Sequence, residues 1–432
     1  MHAILIPRSF RRVPQALVFS ILFPLGLSAQ TFYGIGELGT GTFSQVRDAT
    51  WVSGNIVAVG AAMQSTGGNP AGDISVSWNL SSGLVALPDV VTSSAVSFET
   101  ARVISQDGSV IGGSAHINET TGPRDPAVWT FNSDHMATVT PVGTSVGNTG
   151  VNGLSADGTV AYGFYTYAGT NNPFQAFRTV ASGGSWSTPA PISLSGYDGS
   201  VPAAHGVSAD GIVMVGNGYD AASSTGFGPG TRAFRYTSTG GTVTALSLLA
   251  NGGTWSTALV MTPDGSKTIG VANSGDFLNG QLVSWDSAGA VTALGSPSSD
   301  PTFGFSNLGG VSPDGSVVVV SGSLGTDLFN HAYFYNAHGW FDFQTAMTLA
   351  GVNLTGWTLT DVLGMSADGT LVFGNGLYNG ITEGWVLSLP SDYLSSVTSI
   401  PEPSTCALLM GAAGLGVVVW RRRKTAVRPP QV

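Results

Sequence analysis

The sequence predicts an all-β protein organised as a seven-bladed β-propeller. Three observations support this fold class: the composition, a turn motif that recurs at a nearly constant spacing, and four strand patterns within each repeat. Charged residues make up only 9% of the chain, whereas glycine occupies 61 of its 432 positions. This balance is typical of many short strands joined by tight turns. Hydrophobic residues, at 42%, are numerous enough for a large core.

A Ser/Thr-x-Asp-Gly motif recurs along the chain. Its Asp-Gly pairs are Asp107-Gly108, Asp157-Gly158, Asp210-Gly211, Asp264-Gly265, Asp314-Gly315 and Asp368-Gly369. A degenerate copy has Gly54-Asn55 in the same place, and neighbouring copies lie 50 to 54 residues apart. A period this regular indicates a repeat architecture.

The motif has the residue order of a type I turn that ends in a left-handed glycine. Pro263 and Pro313 occupy the second position, where such a turn favours proline. A nucleophilic serine would need a base within reach, and no histidine keeps a fixed offset from the copies. A calcium loop needs several oxygen ligands, whereas each copy has one carboxylate, so only ligands from neighbouring blades would suffice. We therefore predict structural turns, with no catalytic residue, metal or cofactor.

Each period contains four strand patterns, which is the number in a propeller blade. An apolar run precedes the Asp-Gly pair, and a second run ending in glycine follows it. An aromatic element such as Val283–Trp285 and a short fourth run such as Val291–Leu294 complete the set. The last period lacks a clear fourth run, and Phe32–Gly39 matches the missing pattern. We predict that this N-terminal strand closes a seven-bladed ring, with six or eight blades as alternatives.

Both ends of the chain carry targeting patterns. Three arginines precede the apolar run Ala16–Leu27, which predicts a secretory signal over residues 1–29. At the other end, Cys406–Trp420 is a weakly apolar stretch followed by Arg421–Lys424. This stretch, residues 406–420, predicts a short C-terminal transmembrane segment; on these features alone it is a marginal membrane anchor held by positive charges on the cytoplasmic side.

The C-terminal pattern resembles the PEP-CTERM sorting signal of exported bacterial proteins. The matching residues are Pro401, Glu402, Pro403, the apolar run, and Arg421, Arg422 and Arg423. The resemblance implies that an exosortase, a membrane protease-transpeptidase, recognises the motif and removes the tail after transient membrane association. It also implies a destination at the cell surface or in an exopolysaccharide matrix. Residues 401–424 form the signal in this interpretation, and 425–432 are a short tail.

The domain between the two signals covers residues 31–392, followed by a linker at 393–400. Its repeats resemble the extracellular HAF repeats of bacterial surface proteins, which implies an exported propeller-like domain without assigned catalytic residues. Residues 31–400 contain seven basic and 24 acidic side chains, a net charge of −17 that argues against a nucleic-acid partner. Cys406 is the only cysteine, so the domain has no disulfide.

Candidate catalytic residues are few. The glutamates of the domain are Glu37, Glu99, Glu119 and Glu383, and a glycosidase would need two facing acids from different blades. His331 and His338 would bind zinc only if a hairpin brought them together. Trp78, Trp129, Trp285 and Trp385 recur in the third strand pattern, which predicts packing between blades. The irregular Trp51, Trp186, Trp255, Trp340 and Trp357 either pack in the core or stack on sugar rings.

These observations predict a structural or adhesive protein linked to exopolysaccharide or biofilm, and not an enzyme. The alternative is a polysaccharide-binding lectin or polysaccharide-degrading enzyme with a pocket on the propeller axis. Carboxylates or exposed tryptophans clustered at one mouth of the ring would favour the alternative. A mouth lined by glycine, serine and threonine would favour the structural role.

Overall fold

The computed structural model describes residues 30–399 except for 40, 64–72, 89–99, 116–123, 132–136, 143–148, 166–174, 193–196, 198–202, 220–229, 251, 274–279 and 301. The described chain forms seven antiparallel sheets. In six of them the strands follow chain order from the axis outward, and the seventh adds the N-terminal strand outside its last strand. The fold is therefore the all-β seven-bladed propeller that the repeat predicts. The two targeting segments, including residues 406–420 and 421–424, lie outside the described residues.

The strands of the first three blades begin after an N-terminal strand, β1 (Thr31–Gly34). The first blade contains β2 (Ser44–Val52), β3 (Asn55–Met63), β4 (Asp73–Asn79) and β5 (Gly83–Ala86). The second contains β6 (Thr100–Ile104), β7 (Val110–Ala115), β8 (Asp125–Phe131) and β9 (Ala137–Pro141). The third contains β10 (Gly150–Leu154), β11 (Val160–Tyr165), β12 (Gln175–Ser182), β13 (Ser185–Trp186) and β14 (Ala190–Pro191), of which the last two both pair with β12.

The remaining four blades follow the same order. The fourth contains β15 (Ala203–Val207), β16 (Val213–Tyr219), β17 (Thr231–Thr237) and β18 (Thr242–Ala245). The fifth contains β19 (Ser256–Met261), β20 (Thr268–Asn273), β21 (Gly280–Trp285) and β22 (Val291–Gly295). The sixth contains β23 (Gly304–Val311), β24 (Val318–Ser323), β25 (His331–Asn336) and β26 (Gly339–Asp342). The seventh contains β27 (Trp357–Met365), β28 (Leu371–Tyr378) and β29 (Ile381–Ser388).

The N-terminal strand completes the seventh blade, as the sequence predicts. β1 pairs antiparallel with β29, from Thr31 opposite Ser388 to Gly34 opposite Trp385. The ring of Phe32 lies 5.1 Å from that of Trp357, and the carboxylate of Glu383 accepts a hydrogen bond from the Gly36 N–H at 2.8 Å. The outer edge of β29 is therefore covered, and the two ends of the ring are held together.

The apolar core lies between neighbouring blades. Trp129 on β8 packs in a cluster that includes Val59 of the first blade, and its indole N–H donates to the Pro88 carbonyl at 2.9 Å. Trp285 on β21 donates to the Ser247 carbonyl of the fourth blade at 2.8 Å in the same way. A buried indole satisfies its N–H while it fills the gap between two sheets. Large aromatic side chains on the third strands thus hold each blade to the preceding one.

Two short helices add to the sheets. α1 (Phe343–Leu349) follows β26 and begins at Asp342, whose side chain accepts the Thr345 N–H at 2.6 Å. α2 (Tyr393–Ser396) lies in the segment interpreted from the sequence as a linker. The Asn336 side-chain amide donates to the Leu394 and Val397 carbonyls at 2.8 and 2.9 Å. The chain after the seventh blade is therefore docked on the sixth.

No helix in the described part of the chain is both long and apolar enough to span a bilayer.

Candidate functional site

The six Ser/Thr-x-Asp-Gly segments form hairpin turns between the first and second strands of their blades. In the third blade the Ser155 hydroxyl donates to Asp157 Oδ1 at 2.6 Å and accepts the Val160 N–H at 2.9 Å. Asp157 Oδ1 also accepts the Thr159 N–H at 3.0 Å, and Gly158 has a φ of 65°. The same hydroxyl-to-carboxylate hydrogen bond measures 2.6 Å in the other five copies.

These turns satisfy their own polar groups, which argues against chemistry at the motif. The hydroxyl both donates and accepts, so its lone pair and its proton are already engaged. Hydrogen bonds from the hydroxyl and from backbone N–H groups hold the pKa of Asp157, Asp264 and Asp314 below its usual range. We interpret the twelve Asp-Gly residues as structural on this geometry.

The turns also join one blade to the next. The Tyr162 hydroxyl of the third blade donates to the Gly211 carbonyl in the turn of the fourth at 2.9 Å. The Lys267 ammonium of the fifth blade donates to the Gly315 carbonyl of the sixth, also at 2.9 Å. A Cβ at Gly158 would meet the Val110 side chain of the second blade. Glycine is therefore required here both by a positive φ and by the close approach of the preceding blade.

The innermost strand of every blade carries a β-bulge at the equivalent position. At each bulge, one residue of the inner strand has no partner in the register. The residues before and after it pair with two consecutive residues of the second strand. We call these seven residues the bulge ring; in chain order they are Arg47, Arg102, Asn152, His205, Leu259, Gly309 and Leu363. All of them line a channel of about 270 Å³ enclosed by the seven inner strands. A bulge redirects its side chain, and here the repeated bulge directs one residue per blade toward the axis.

A glycine on the second strand accompanies the bulge in six blades. The glycines that pair with the residue before the bulge are Gly60, Gly113, Gly163, Gly216, Gly270 and Gly374; the sixth blade has Val320 instead. A Cβ on Gly163 would collide with the Gly150 carbonyl oxygen of the adjacent strand. In these six blades, a glycine at the end of the apolar run in the sequence therefore marks the bulge.

The bulge ring has a polar side and an apolar side. Arg47, Arg102, Asn152 and His205 come from the first four blades, and the last three blades contribute Leu259, Gly309 and Leu363. The Arg102 guanidinium donates from Nη1 to Asn152 Oδ1 at 2.9 Å, and the Asn152 amide donates to the Ala204 carbonyl at 3.1 Å. Hydrogen bonds thus connect the polar side from the second blade to the fourth.

Burial shifts the charges of this polar side. The pKa of Arg102 is lowered to about 10, first by burial and then by repulsion from Arg47 and Arg124. Burial also lowers the pKa of His205, although its hydrogen bond to Asn217 Oδ1 at 2.8 Å partly opposes the shift. His205 is therefore neutral at pH 7, and the arginines carry the positive charge of the channel.

Asp48 lies next to the bulge ring and bridges two blades. Its carboxylate accepts the Ala49 N–H and, across the blade boundary, the Ile104 N–H, both at 2.8 Å. Burial raises its pKa to about 7, although these two hydrogen bonds oppose the shift. Among the described residues that line the channel, Asp48 is the one carboxylate. It is placed to join the first two inner strands and has no second acid beside it in this lining.

The other candidate residues from the sequence either have structural roles or lie outside the described residues. Glu383 holds the N-terminal strand, whereas Glu99 and Glu119 lie outside the described residues. His331 begins β25 and His338 follows its end, about 20 Å apart at 3.3 Å per residue. The hairpin therefore does not form a His331–His338 zinc site, and the described residues contain no cluster of three metal-ligating side chains.

The tryptophans of residues 31–400 are all described, and none is exposed. The regular ones are buried and the irregular ones are half-buried. Among the latter, Trp357 lies against Phe32, and the Trp51 indole donates to the Thr370 hydroxyl at 2.8 Å. The Trp340 indole donates to the Leu294 carbonyl at 3.2 Å. The predicted cluster of exposed tryptophans is therefore not observed among these residues. The residues that sequence reasoning missed are those of the bulge ring.

Residues 399–424 match the PEP-CTERM protein-sorting motif. The match covers the predicted sorting residues and implies an exported protein that is targeted to an exosortase. Comparison with curated proteins finds no match.

Among solved structures, the chain is similar to the β-propeller domain of the Trilobed protease from Pyrococcus furiosus. The TM-score is 0.52 at 10% identity, covering 80% of this chain and 95% of that one. It is also similar to oligogalacturonate lyase from Vibrio parahaemolyticus, with a TM-score of 0.50 at 10% identity, covering 85% and 99%. These likenesses show the propeller fold. The Pyrococcus domain is described as having an open velcro topology, whereas here β1 closes the ring.

Proposed function

We propose that this protein is an exported propeller with a structural or adhesive role at the cell surface or in an exopolysaccharide matrix or biofilm. The observation that carries the proposal is the sorting motif at residues 399–424. It follows α2, which docks the chain after the closed ring on the sixth blade. An exosortase would cut at this motif after the apolar run had associated with the membrane. The propeller would then be delivered as a rigid module.

The geometry of the channel supports a binding or structural role over hydrolysis by two carboxylates. Glycoside hydrolysis uses two acids at a set separation across the scissile bond. Asp48 is the one carboxylate among the described channel-lining residues, and two backbone N–H groups occupy its oxygens. In each of the six Asp-Gly turns, the carboxylate accepts the hydroxyl of the turn and one backbone N–H.

An exposed apolar segment supports the adhesive part of the proposal. Leu328 and Phe329, in the connection between β24 and β25, are 92% and 55% exposed. They border a cavity of about 320 Å³ that also includes Asn330 and Asp361. Adjacent exposed large apolar side chains beside polar groups are typical of contact surfaces.

A saccharide-binding role is the second candidate, favoured by the two arginines of the bulge ring. One structural neighbour is by name an oligogalacturonate lyase, and at 10% identity this likeness concerns the fold. The evidence for an anionic ligand is instead the arrangement of Arg47 and Arg102 in the channel of this chain.

The test of the proposed function follows the protein through export. We expect the mature protein from its native host to lack Arg421–Lys424 by intact-mass measurement, and to be retained in the surface or matrix fraction. A Pro401→Ala, Pro403→Ala variant should keep its tail and remain with the membrane. Pro390→Ala, outside the motif, is the matched control and should be processed normally. A released protein with an intact basic cluster would refute processing, and a freely soluble processed protein would refute the adhesive role.

A further inference from the structure

We propose that the polar side of the bulge ring binds a small carboxylate ligand between Arg47 and Arg102 in the central channel. The seven basic side chains of residues 31–400 include both of these arginines. In a domain of net charge −17, the repeated bulge thus directs two scarce positive charges into one cavity. This inference is independent of how the protein is exported or displayed.

The two arginines have unused donors. A guanidinium has five N–H groups. Arg102 uses Nη1 for Asn152 Oδ1 at 2.9 Å, and Arg47 uses Nη2 for Gln45 Oε1 at 2.9 Å. Both acceptors are neutral amides, so these contacts orient the guanidinium planes without neutralising them. The described residues contain an ion pair between His331 and Asp327 at 3.8 Å, and neither channel arginine joins one there.

Asp48 does not supply the counter-charge. Its two oxygens accept backbone N–H groups of Ala49 and Ile104, and it forms no ion pair with Arg47 or Arg102 among the described contacts. The position of Asp48 is explained by the junction of two blades. Burial lowers the pKa of Arg47, and the charges of Asp73 and Asp361 partly oppose that shift without an ion pair to Arg47 among the described contacts. Arg102, in contrast, is repelled by Arg47 and Arg124, and an anion in the channel would relieve this repulsion.

Carboxylate is the anion that this geometry favours. A guanidinium presents parallel N–H groups that match the two oxygens of a carboxylate, and such bidentate pairs are both directional and strong. Asn152 fixes the orientation of Arg102 by accepting from one of its nitrogens. Arg47 is the more exposed of the two, so it can adjust to the ligand while Arg102 holds it.

The opposite wall limits the remainder of the ligand. Leu259, Gly309 and Leu363 present an apolar surface across the channel, and the cavity measures about 270 Å³. This is below the volumes of roughly 300–1,000 Å³ that are typical of sites for larger ligands. A single uronic-acid ring fits this combination, because its carboxylate can reach the arginines while its carbon face lies against the leucines.

The test is calorimetric titration of the purified full-length chain with sodium glucuronate, with glucose and inorganic phosphate as comparison ligands. We expect glucuronate to bind and glucose, which has the ring without the carboxylate, to give no measurable heat. Arg102→Leu should weaken glucuronate binding by at least about tenfold, and Arg102→Lys should fall between, since lysine keeps the charge but loses the fork. Arg47→Leu, at a more exposed position, should also weaken binding.

Arg232→Leu is the matched control, because Arg232 lies on β17 and its Nε donates to the Leu246 carbonyl at 3.3 Å. It removes the same charge and side chain outside the bulge ring and should leave glucuronate affinity unchanged. Thermal unfolding of each variant separates loss of binding from loss of folding. Equal binding of glucose and glucuronate, or unchanged affinity in both folded Arg47→Leu and Arg102→Leu, would overturn the proposal. Phosphate bound as tightly as glucuronate would overturn the assignment to carboxylates.

Discussion

The hairpin turns and the bulge ring are both repeated around the propeller, but they differ in what is repeated. Six turns keep the same side chains, Ser or Thr, Asp and Gly, and the same 2.6 Å hydrogen bond. The bulges keep the same backbone geometry, while their residues range from Arg102 to Gly309 and Leu363. A side chain that the fold needs is repeated with the fold. A position where only the backbone is repeated is free to carry function.

We expect the glycine that faces a bulge to be the position in a blade where a substitution lowers the free energy of unfolding most. Gly163→Ala places a Cβ against the Gly150 carbonyl oxygen and the Phe177 ring, and neither can move without disturbing two strands. We expect a loss of about 3 kcal/mol in the free energy of unfolding, measured by urea denaturation. Gly304→Ala is the control, since a Cβ there meets nothing within 4 Å. Equal stability of the two variants would show that the bulge does not require glycine.

The turn hydroxyl should matter less, because it sustains one hairpin. Ser155→Ala removes the donor to Asp157 and leaves the buried Val160 N–H without its acceptor. We expect a loss of about 1–2 kcal/mol by the same measurement. Ser82→Ala, at an exposed turn where the hydroxyl makes a 3.4 Å contact, should change stability by less than about 0.5 kcal/mol. A Ser155→Ala protein as stable as the wild type would contradict the structural interpretation of the motif.

Strands, turns and blade number could be predicted because their signals are local. An Asp-Gly turn and an apolar run ending in glycine are written in a few consecutive residues, and counting the copies gives seven blades. The bulge ring could not be predicted, because a bulge depends on the register of two strands. Asn152, for instance, directs its side chain to the channel only because Val151 pairs with Gly163 and Gly153 with Tyr162. The glycine within the second strand of six blades is the signal that the sequence contains.

Other features were hidden for similar reasons. The fourth strand of the third blade is broken into β13 and β14, each of two residues, too short for a pattern. The helix α1 has seven residues, too few for a helical period to stand out in the sequence. Glu383 could not be separated from catalytic acids by sequence, since its role depends on Gly36, which lies at the other end of the domain.

The pH dependence of stability should also distinguish the channel from the hairpin turns, because Asp48 titrates at the channel wall. Asp48 has its pKa raised to about 7 by burial, against about 3.9 in an unfolded chain. Between these values the folded protein binds the proton that the unfolded chain has released, so stability should fall as pH rises from about 4 to about 7. The carboxyl lines a channel where water reduces the penalty, and we expect about 1 kcal/mol over this range. Asp48→Asn should flatten that part of the curve of melting temperature against pH.

The Asp48→Asn variant also defines the outcome that would contradict this prediction. Asparagine keeps an acceptor for the Ala49 or Ile104 N–H but cannot ionise. A curve that still falls between pH 4 and 7 in this variant would assign the dependence to another group. Glucuronate affinity at pH 7 should be retained, because Asp48 does not contact the arginines through an ion pair.

The smallest expected effect concerns the turn carboxylates, and its sign is opposite to that of Asp48. Asp157, Asp264 and Asp314 have pKa values lowered by the hydroxyls of Ser155, Thr262 and Ser312 and by backbone N–H groups. Their contribution is fully present above an unfolded pKa of about 3.9 and is lost as pH falls through the lower folded values. A triple Asp→Asn variant should therefore lose less melting temperature than the wild type when the pH is lowered from about 5 to about 3. Since these carboxylates are largely exposed, the difference should be a few degrees at most. A variant with Asp286, Asp327 and Asp392 changed to Asn, outside the repeated turns, controls for net charge. If that control flattened the acid limb equally, net charge and not the turn hydrogen bonds would be responsible.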